Sequence, residues 1–262
     1  MRIEWGGSAA DIRELGSGPA IVLVHGFPLD GAMWSGVARA LAPRFRVFKP
    51  DLPGRGNTDA AAPDSIAGYA DFIEALVTDL PPPVGIAGFS FGGYISLELM
   101  KRRPEKIRAL ALIDTRAAAD DPAGRARRDE TIAAVRAEGV KSVVESMPPK
   151  LLSPASLGRP DLLERVQRMI SRQKPETLAA DLVAMRDRPD STEFLPRVAV
   201  PTLVVVGEQD ALTPPADSEA MAAAVPGARL VRIPGAGHLS PMERPKAVAE
   251  ALADFFSSTL IS

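Results

Sequence analysis

A nucleophile, a base and an acid can all be picked out of this chain from residue type and spacing. The stretch Gly85-Ile86-Ala87-Gly88-Phe89-Ser90-Phe91-Gly92-Gly93 sets one serine midway between two glycines. This is G-x-S-x-G, with a buried apolar run before it and a helical pattern after it. A serine at the apex of so sharp a turn exposes its Oγ, and the residues two places away must lack bulk. The amides that follow open a helix, where their dipoles favour negative charge. His238 lies in Pro234-Gly235-Ala236-Gly237-His238, just past the last apolar run. Its imidazole titrates near neutrality, as a general base for a serine must. Two aspartates compete for the third role: Asp210, which closes Val204-Val205-Val206-Gly207-Glu208-Gln209-Asp210, and Asp114, which closes Leu112-Ile113-Asp114. The order Ser…Asp…His favours Asp210 and leaves Asp114 as the alternative acid.

Acyl chemistry also needs donors for a developing oxyanion. The backbone N–H groups of Phe27 and Phe91 are the candidates, one from the loop after an early buried run and one from the serine turn. His25, fixed to a strand end ahead of the serine, reads as a residue that holds its loop. Phe27, Trp34, Phe89 and Phe91 cluster in sequence near these loops. Trp34 and Phe89 are candidates for an apolar pocket wall and equally for ordinary core, since pockets and cores share composition. Asp51-Leu52-Pro53-Gly54-Arg55-Gly56 is another strand-end turn, with no chemistry assigned to it.

The elements that position these residues follow from periodicity. Ala20 to Val24 is a continuous apolar, β-branched run ended by His25-Gly26, the signature of a strand buried on both faces of a parallel sheet. Phe45 to Phe48, Val84 to Ala87, Ala109 to Ile113 and Thr202 to Val206 share this character, and Leu230 to Ile233 reads as a more exposed strand. Helical spacing covers Ile66 to Leu80, Phe91 to Arg102, Ser218 to Ala224 and Pro245 to Phe256, with Pro104 and Pro81-Pro82-Pro83 as stops. Arg2 to Trp5 and Asp11 to Leu15 read as a small hairpin at the sheet edge. The fold class is therefore α/β, a mostly parallel central sheet flanked by helices. Residues 116–195 break the alternation with helical patterns alone, giving a core of residues 1–115 and 196–262 and a helical cap between them.

Composition narrows the function. The chain has 262 residues with 31 basic against 33 acidic side chains, so no basic face invites nucleic acid or an anionic membrane. The cap carries 14 Lys/Arg against 13 Asp/Glu, without the basic excess of a membrane-surface helix. There is no cysteine, which removes disulfides, thiolate metal sites and a cysteine nucleophile, and two histidines leave little for a metal centre. No apolar run approaches the roughly 20 residues of a membrane span, and a cytoplasmic location is the default.

His25-Gly26-Phe27, Asp51-x-x-Gly54-x-Gly56, Gly88-x-Ser90-x-Gly92, Gly207-x-x-Asp210 and Gly237-His238 fall in the order seen in the α/β-hydrolase superfamily, which the chain resembles over essentially its whole length. Within it the sequence looks most like the carboxylesterase and 3-oxoadipate enol-lactonase-like group. The resemblance implies Ser90 as nucleophile, Asp210 and His238 completing a triad, the Phe27 and Phe91 amides as oxyanion hole, no metal or organic cofactor, and a small ester or lactone as substrate. C–C bond hydrolysis, perhydrolysis and a ligand-binding receptor on the same scaffold are the alternatives. An anionic substrate would call for an arginine at the pocket mouth; the cap carries many, and the sequence singles out none.

Overall fold

The structure is a computed structural model and describes residues 1–261 except 57, 59, 103, 104 and 106. The helix stop read at Pro104 lies outside the described residues. β1 (Arg2–Trp5) and β2 (Ser8–Asp11) form a separate antiparallel ribbon. The main sheet has seven strands: β3 (Arg13–Leu15), β4 (Ala20–Val24), β5 (Arg46–Lys49), β6 (Val84–Phe89), β7 (Ile107–Ile113), β8 (Thr202–Gly207) and β9 (Arg229–Ile233). Their order is β3-β5-β4-β6-β7-β8-β9, with β3 antiparallel and every other pair parallel. The hairpin expected from Asp11 to Leu15 is thus corrected. Gly6 and Gly7, at φ 57° and 74°, reverse the chain within two residues, so Trp5 pairs with Ser8, and Arg13–Leu15 crosses to β5 instead.

The runs read as doubly buried strands are so: every residue of β4, β6 and β8 is buried, while β9 at the edge is largely not. Burial on both faces requires helices on both. α1 (Ser35–Leu41), which the periodicity reading missed, packs with α12 (Pro245–Leu260), and α2 (Ile66–Thr78) packs with α3 (Phe91–Arg102). β6 shows how near they come. A Cβ on Gly85 would lie 2.6 Å from the Phe256 ring of α12, and one on Gly88 would lie 2.4 Å from Gly92 O of α3. Positions of opposite parity on a strand face opposite sides, so α12 and α3 cover opposite faces.

Between β7 and β8 the described chain is helical throughout its regular structure: α4 (Pro122–Glu138), α5 (Lys141–Ser146), α6 (Pro148–Leu151), α7 (Pro154–Leu157), α8 (Pro160–Ser171), α9 (Pro175–Arg186) and a 3-10 turn at Thr192–Arg197. All of these α-helices but α5 open on proline, whose fixed φ suits the first helical position and whose missing N–H costs nothing there. α10 (Pro215–Ala224) and α11 (Ser240–Glu243) complete the elements. A buried cluster ties the inserted helices to the sheet domain. Asp181 of α9 accepts from the Arg55 guanidinium and from the Tyr69 hydroxyl, and Thr177 Oγ1 donates to Gly54 O at 2.9 Å. Among the described residues no helix is long and apolar enough to cross a membrane.

The strand order supplies the site. β4 leads outward to β5, and the next strand, β6, returns to the other side of β4. At such a switch the connections leave in opposite directions and open a crevice at the strands' C-terminal ends. The His25-Gly26-Phe27 loop and Ser90 leave from those two strands.

Candidate active site

Ser90 is a non-glycine residue in the left-handed region, at φ 51°. Such a backbone costs of order 1–3 kcal/mol and persists only when its surroundings over-determine it. Here its N–H donates to Ile113 O at 2.9 Å, and its carbonyl accepts from Gly93 N at 2.8 Å and Thr115 Oγ1 at 2.8 Å. The flanking glycines are steric necessities. A Cβ on Gly92 would stand 2.3 Å from Val24 O, and one on Gly88 2.4 Å from both Gly92 O and Ser96 Oγ.

His238 reaches this serine from the loop after β9. Its Nε2 lies 2.9 Å from Ser90 Oγ, and its Nδ1 lies 2.9 Å from Asp210 Oδ2. Asp210 sits in the loop after β8, where Oδ1 accepts from Leu212 N and Thr213 N, each at 2.9 Å, and Oδ2 accepts from Thr213 Oγ1 at 2.7 Å. Burial opposes its charge, but the His238 ring and these donors outweigh it and hold the carboxyl below the usual carboxylate range. An ionised carboxylate only accepts, so Nδ1 carries the imidazole proton and Nε2 is free to accept from the Ser90 hydroxyl. The Phe89 ring packs against His238 at 5.2 Å between centroids and limits its rotation.

Asp114 is brought close without joining this chain. Its Oδ1 accepts from Gly207 N at 2.7 Å and its Oδ2 bonds the Ser240 hydroxyl. Complete burial, reinforced by the Asp210 charge, pushes its carboxyl well above the usual range. His25 is equally remote from the reaction. Its Nε2 accepts from Leu52 N at 3.1 Å, which leaves Nδ1–H for Gly26 O at 3.1 Å, and it pins the loop that carries Phe27. Burial, followed by the Arg55 charge, keeps it neutral. Among the described residues neither the Phe27 nor the Phe91 amide has a hydrogen-bond acceptor.

Ser90, His238 and Phe27 open into a cavity of about 300 Å³. Of the two readings open for Trp34 and Phe89, core is the one their positions fit. Trp34 and Phe89 are fully buried and stacked edge to face at 6.3 Å, so they are core beneath the site. Their bulk supports the loops from below, while the wall is drawn from Tyr94, the loop residues Ala211–Thr213, Thr131, Leu182 and Met185 of the inserted helices, and Arg116 and Met147 from the connections before α4 and between α5 and α6. Sequence reasoning could not select these, because which face of each short helix turns inward is set by packing.

Glu243 was also missed. It is 2% exposed, and its two oxygens accept from Gly237 N and Ser153 N, each at 2.9 Å. One side chain therefore fixes the residue before His238 and the start of α7 together. Leu239 N adds a second stitch, donating to Leu151 O at 2.8 Å. No local signal marks it: Glu243 is followed directly by Arg244 and reads like a surface charge pair.

Comparison with known proteins agrees with this architecture. Residues 21–251 match the pattern of the Alpha/beta hydrolase family. A pimeloyl-[acyl-carrier protein] methyl ester esterase of Chromobacterium violaceum is 30% identical over 93% of this chain and 96% of its own. Among solved structures, a thermophilic esterase from Thermogutta terrifontis, with malate bound, superposes with a TM-score of 0.93 at 35% identity, covering 98% of both chains. The enol-lactonase of Burkholderia xenovorans LB400 superposes with a TM-score of 0.90 at 26% identity, over 98% of this chain and 100% of that one. With the family pattern spanning nearly the whole chain, and esterases and a lactonase sharing its full-length fold, this protein belongs to the alpha/beta hydrolase family.

Proposed function

We propose that the protein is a serine hydrolase of small carboxylic esters or lactones, acting through an acyl-enzyme on Ser90. The observation that carries this reading is the unbroken line Ser90 Oγ, His238 Nε2, His238 Nδ1, Asp210 Oδ2, with links of 2.9 Å, opening into a cavity. His238 takes the serine proton as Oγ attacks the carbonyl carbon, and Asp210 stabilises the imidazolium and fixes its tautomer. The Phe27 and Phe91 amides hold the oxyanion of the tetrahedral intermediate; losing one such donor costs ~10²–10³ in rate. The imidazolium then protonates the leaving oxygen. Water, deprotonated by His238, hydrolyses the acyl-enzyme and restores Ser90. No step calls for a metal or organic cofactor.

In this reading residues 116–195 form a lid over a core of residues 1–115 and 196–262, and the lid shapes the pocket. Support for ester or lactone cleavage comes from the esterase and enol-lactonase relatives. The test is turnover of short p-nitrophenyl esters and simple lactones by wild type and Ser90→Ala. Expected is a loss in kcat approaching ~10⁶, as for nucleophile removal in other serine hydrolases. Full activity in the variant, or no turnover of any substrate by wild type, overturns the proposal.

A further inference from the structure

The charges around the cavity do not balance. Arg116, Arg127, Arg128 and Lys150 line it, and among the described residues lining it Asp120 is the single carboxylate. Asp120 already serves three guanidinium groups. Its Oδ1 accepts from Arg116 at 3.2 Å and Arg188 at 3.0 Å, and its Oδ2 from Arg128 at 3.1 Å. Arg188 is buried behind the wall with its guanidinium 4.3 Å from the centre of the Tyr94 ring. One negative charge thus faces three positive ones. Arg127 of α4 and Lys150 of α6 are exposed and, among the described residues, have no ion-pair partner.

Elsewhere on the segment between β7 and β8 several cations are paired. Arg125 meets Asp187, Arg186 meets both Asp129 and Asp187, and Arg168 meets Glu164. Arg127 and Lys150 instead reach the cavity with no carboxylate partner among the described residues. A cleft of one sign, with low-dielectric walls, focuses its field and concentrates ligands of the opposite sign. The cavity lies at the small end of the ~300–1,000 Å³ range of ligand pockets, and Ser90, Arg127 and Lys150 all line it.

We propose that the natural substrate carries a second, ionised acidic group, a carboxylate, which Arg127 and Lys150 hold while the ester or lactone carbonyl lies at Ser90. This rests on the serine-hydrolase reading above and adds the substrate class. Asp120 with its three arginines supplies the surrounding positive potential, and the two unpaired cations supply the donors.

Two matched pairs of esters test it at low ionic strength. Monomethyl adipate and methyl hexanoate differ only in a terminal carboxylate against a methyl; 4-acetoxybutanoate and butyl acetate place the same difference on the alcohol side. The wild type is expected to prefer the anionic member of at least one pair by roughly tenfold or more in kcat/KM, through KM, the size of a charge-assisted hydrogen bond. That ratio falls towards one in Arg127→Gln/Lys150→Gln and in high salt. It stays unchanged in Arg168→Gln, away from the cavity lining. Calorimetric binding of all four esters to Ser90→Ala, which needs no turnover, should show the same preference. Equal KM and equal binding within both pairs, or a preference that survives the double variant, overturns the anionic substrate. Neutral esters cleaved in a Ser90-dependent manner would then leave the hydrolase reading standing. Preferential binding of the anions with no Ser90-dependent turnover would overturn the hydrolase reading instead.

Discussion

The rim of the sheet and the helices that face it are held by different forces. Around Ser90, Asp210 and His238 the supports are mostly backbone: Ile113 O, Gly93 N, Leu212 N and Thr213 N. The inserted helices, beyond their apolar packing, lean on buried charge, with Asp181 against Arg55 and Tyr69, and Asp120 against three arginines. Backbone supports come with the strands and survive most changes of side chain. Ionic supports depend on individual side chains, so they can be lost or re-aimed one residue at a time. Under the proposed reaction, the difference separates the groups assigned to the chemistry from those assigned to substrate choice.

Removing the carboxylate of the relay attacks the rim alone and carries the largest expected effect among these tests. Asp210→Asn should lower kcat by ~10⁴, as when the imidazole tautomer is lost in a serine triad, with the far-ultraviolet spectrum and unfolding midpoint little changed. A drop of less than tenfold would show that Asp210 does not orient His238. Asp181→Asn attacks the helices alone. It leaves the Arg55 charge buried without its counter-ion, and breaking such a pair costs about 3–5 kcal/mol, read from the denaturant midpoint. Its kcat should fall far less than that of Asp210→Asn.

Glu243→Gln probes the seam between the two regions. A glutamine amide has one acceptor oxygen, so either Gly237 N or Ser153 N faces another donor, at a cost of about 1–3 kcal/mol. Stability and kcat should decline together, because the same side chain holds the His238 loop and α7. A fall in stability with kcat intact would separate the seam from the relay.

Asp114→Asn should do least, and it sharpens the contrast between two acids on one rim. Burial and the Asp210 charge raise the Asp114 carboxyl well above its ordinary range in the fold. It is ionised in the unfolded chain above the ordinary carboxylate range, so folding takes up a proton and stability falls as pH rises through that window. Asparagine can still accept from Gly207 N and pair with Ser240 Oγ. The variant should keep near-wild-type activity and show a flatter decline of stability from acid to neutral pH. A large loss of kcat would transfer the relay role from Asp210 to Asp114.

The rim was legible in the sequence because its signals are local. Continuous apolar runs mark doubly buried strands, and the glycines around Ser90 mark a turn that only a missing Cβ permits. The hairpin was misplaced because three- and four-residue strands carry too little periodicity to locate; Gly6-Gly7 was the better guide to where the chain reverses. α1 escaped for the same reason, being only seven residues long. The pocket wall was not legible at all. Arg116, Arg127, Arg128 and Lys150 look like any other cations of a charge-balanced stretch until packing decides which of them turn towards Ser90. Trp34 and Phe89 were near the site in sequence, but buried bulk supports a pocket floor more often than it lines one.

Ser90 also records what its position was chosen for. Among the described residues only Ser90 and Asp114 adopt a left-handed backbone without being glycine, and they end the adjacent strands β6 and β7. A chain with 21 glycines has the easier residue at hand, and glycine would relieve the strain at either place. Selection for stability alone would have put one at position 90. On the proposed reading, the serine there trades some of the fold's stability for one hydroxyl held in place.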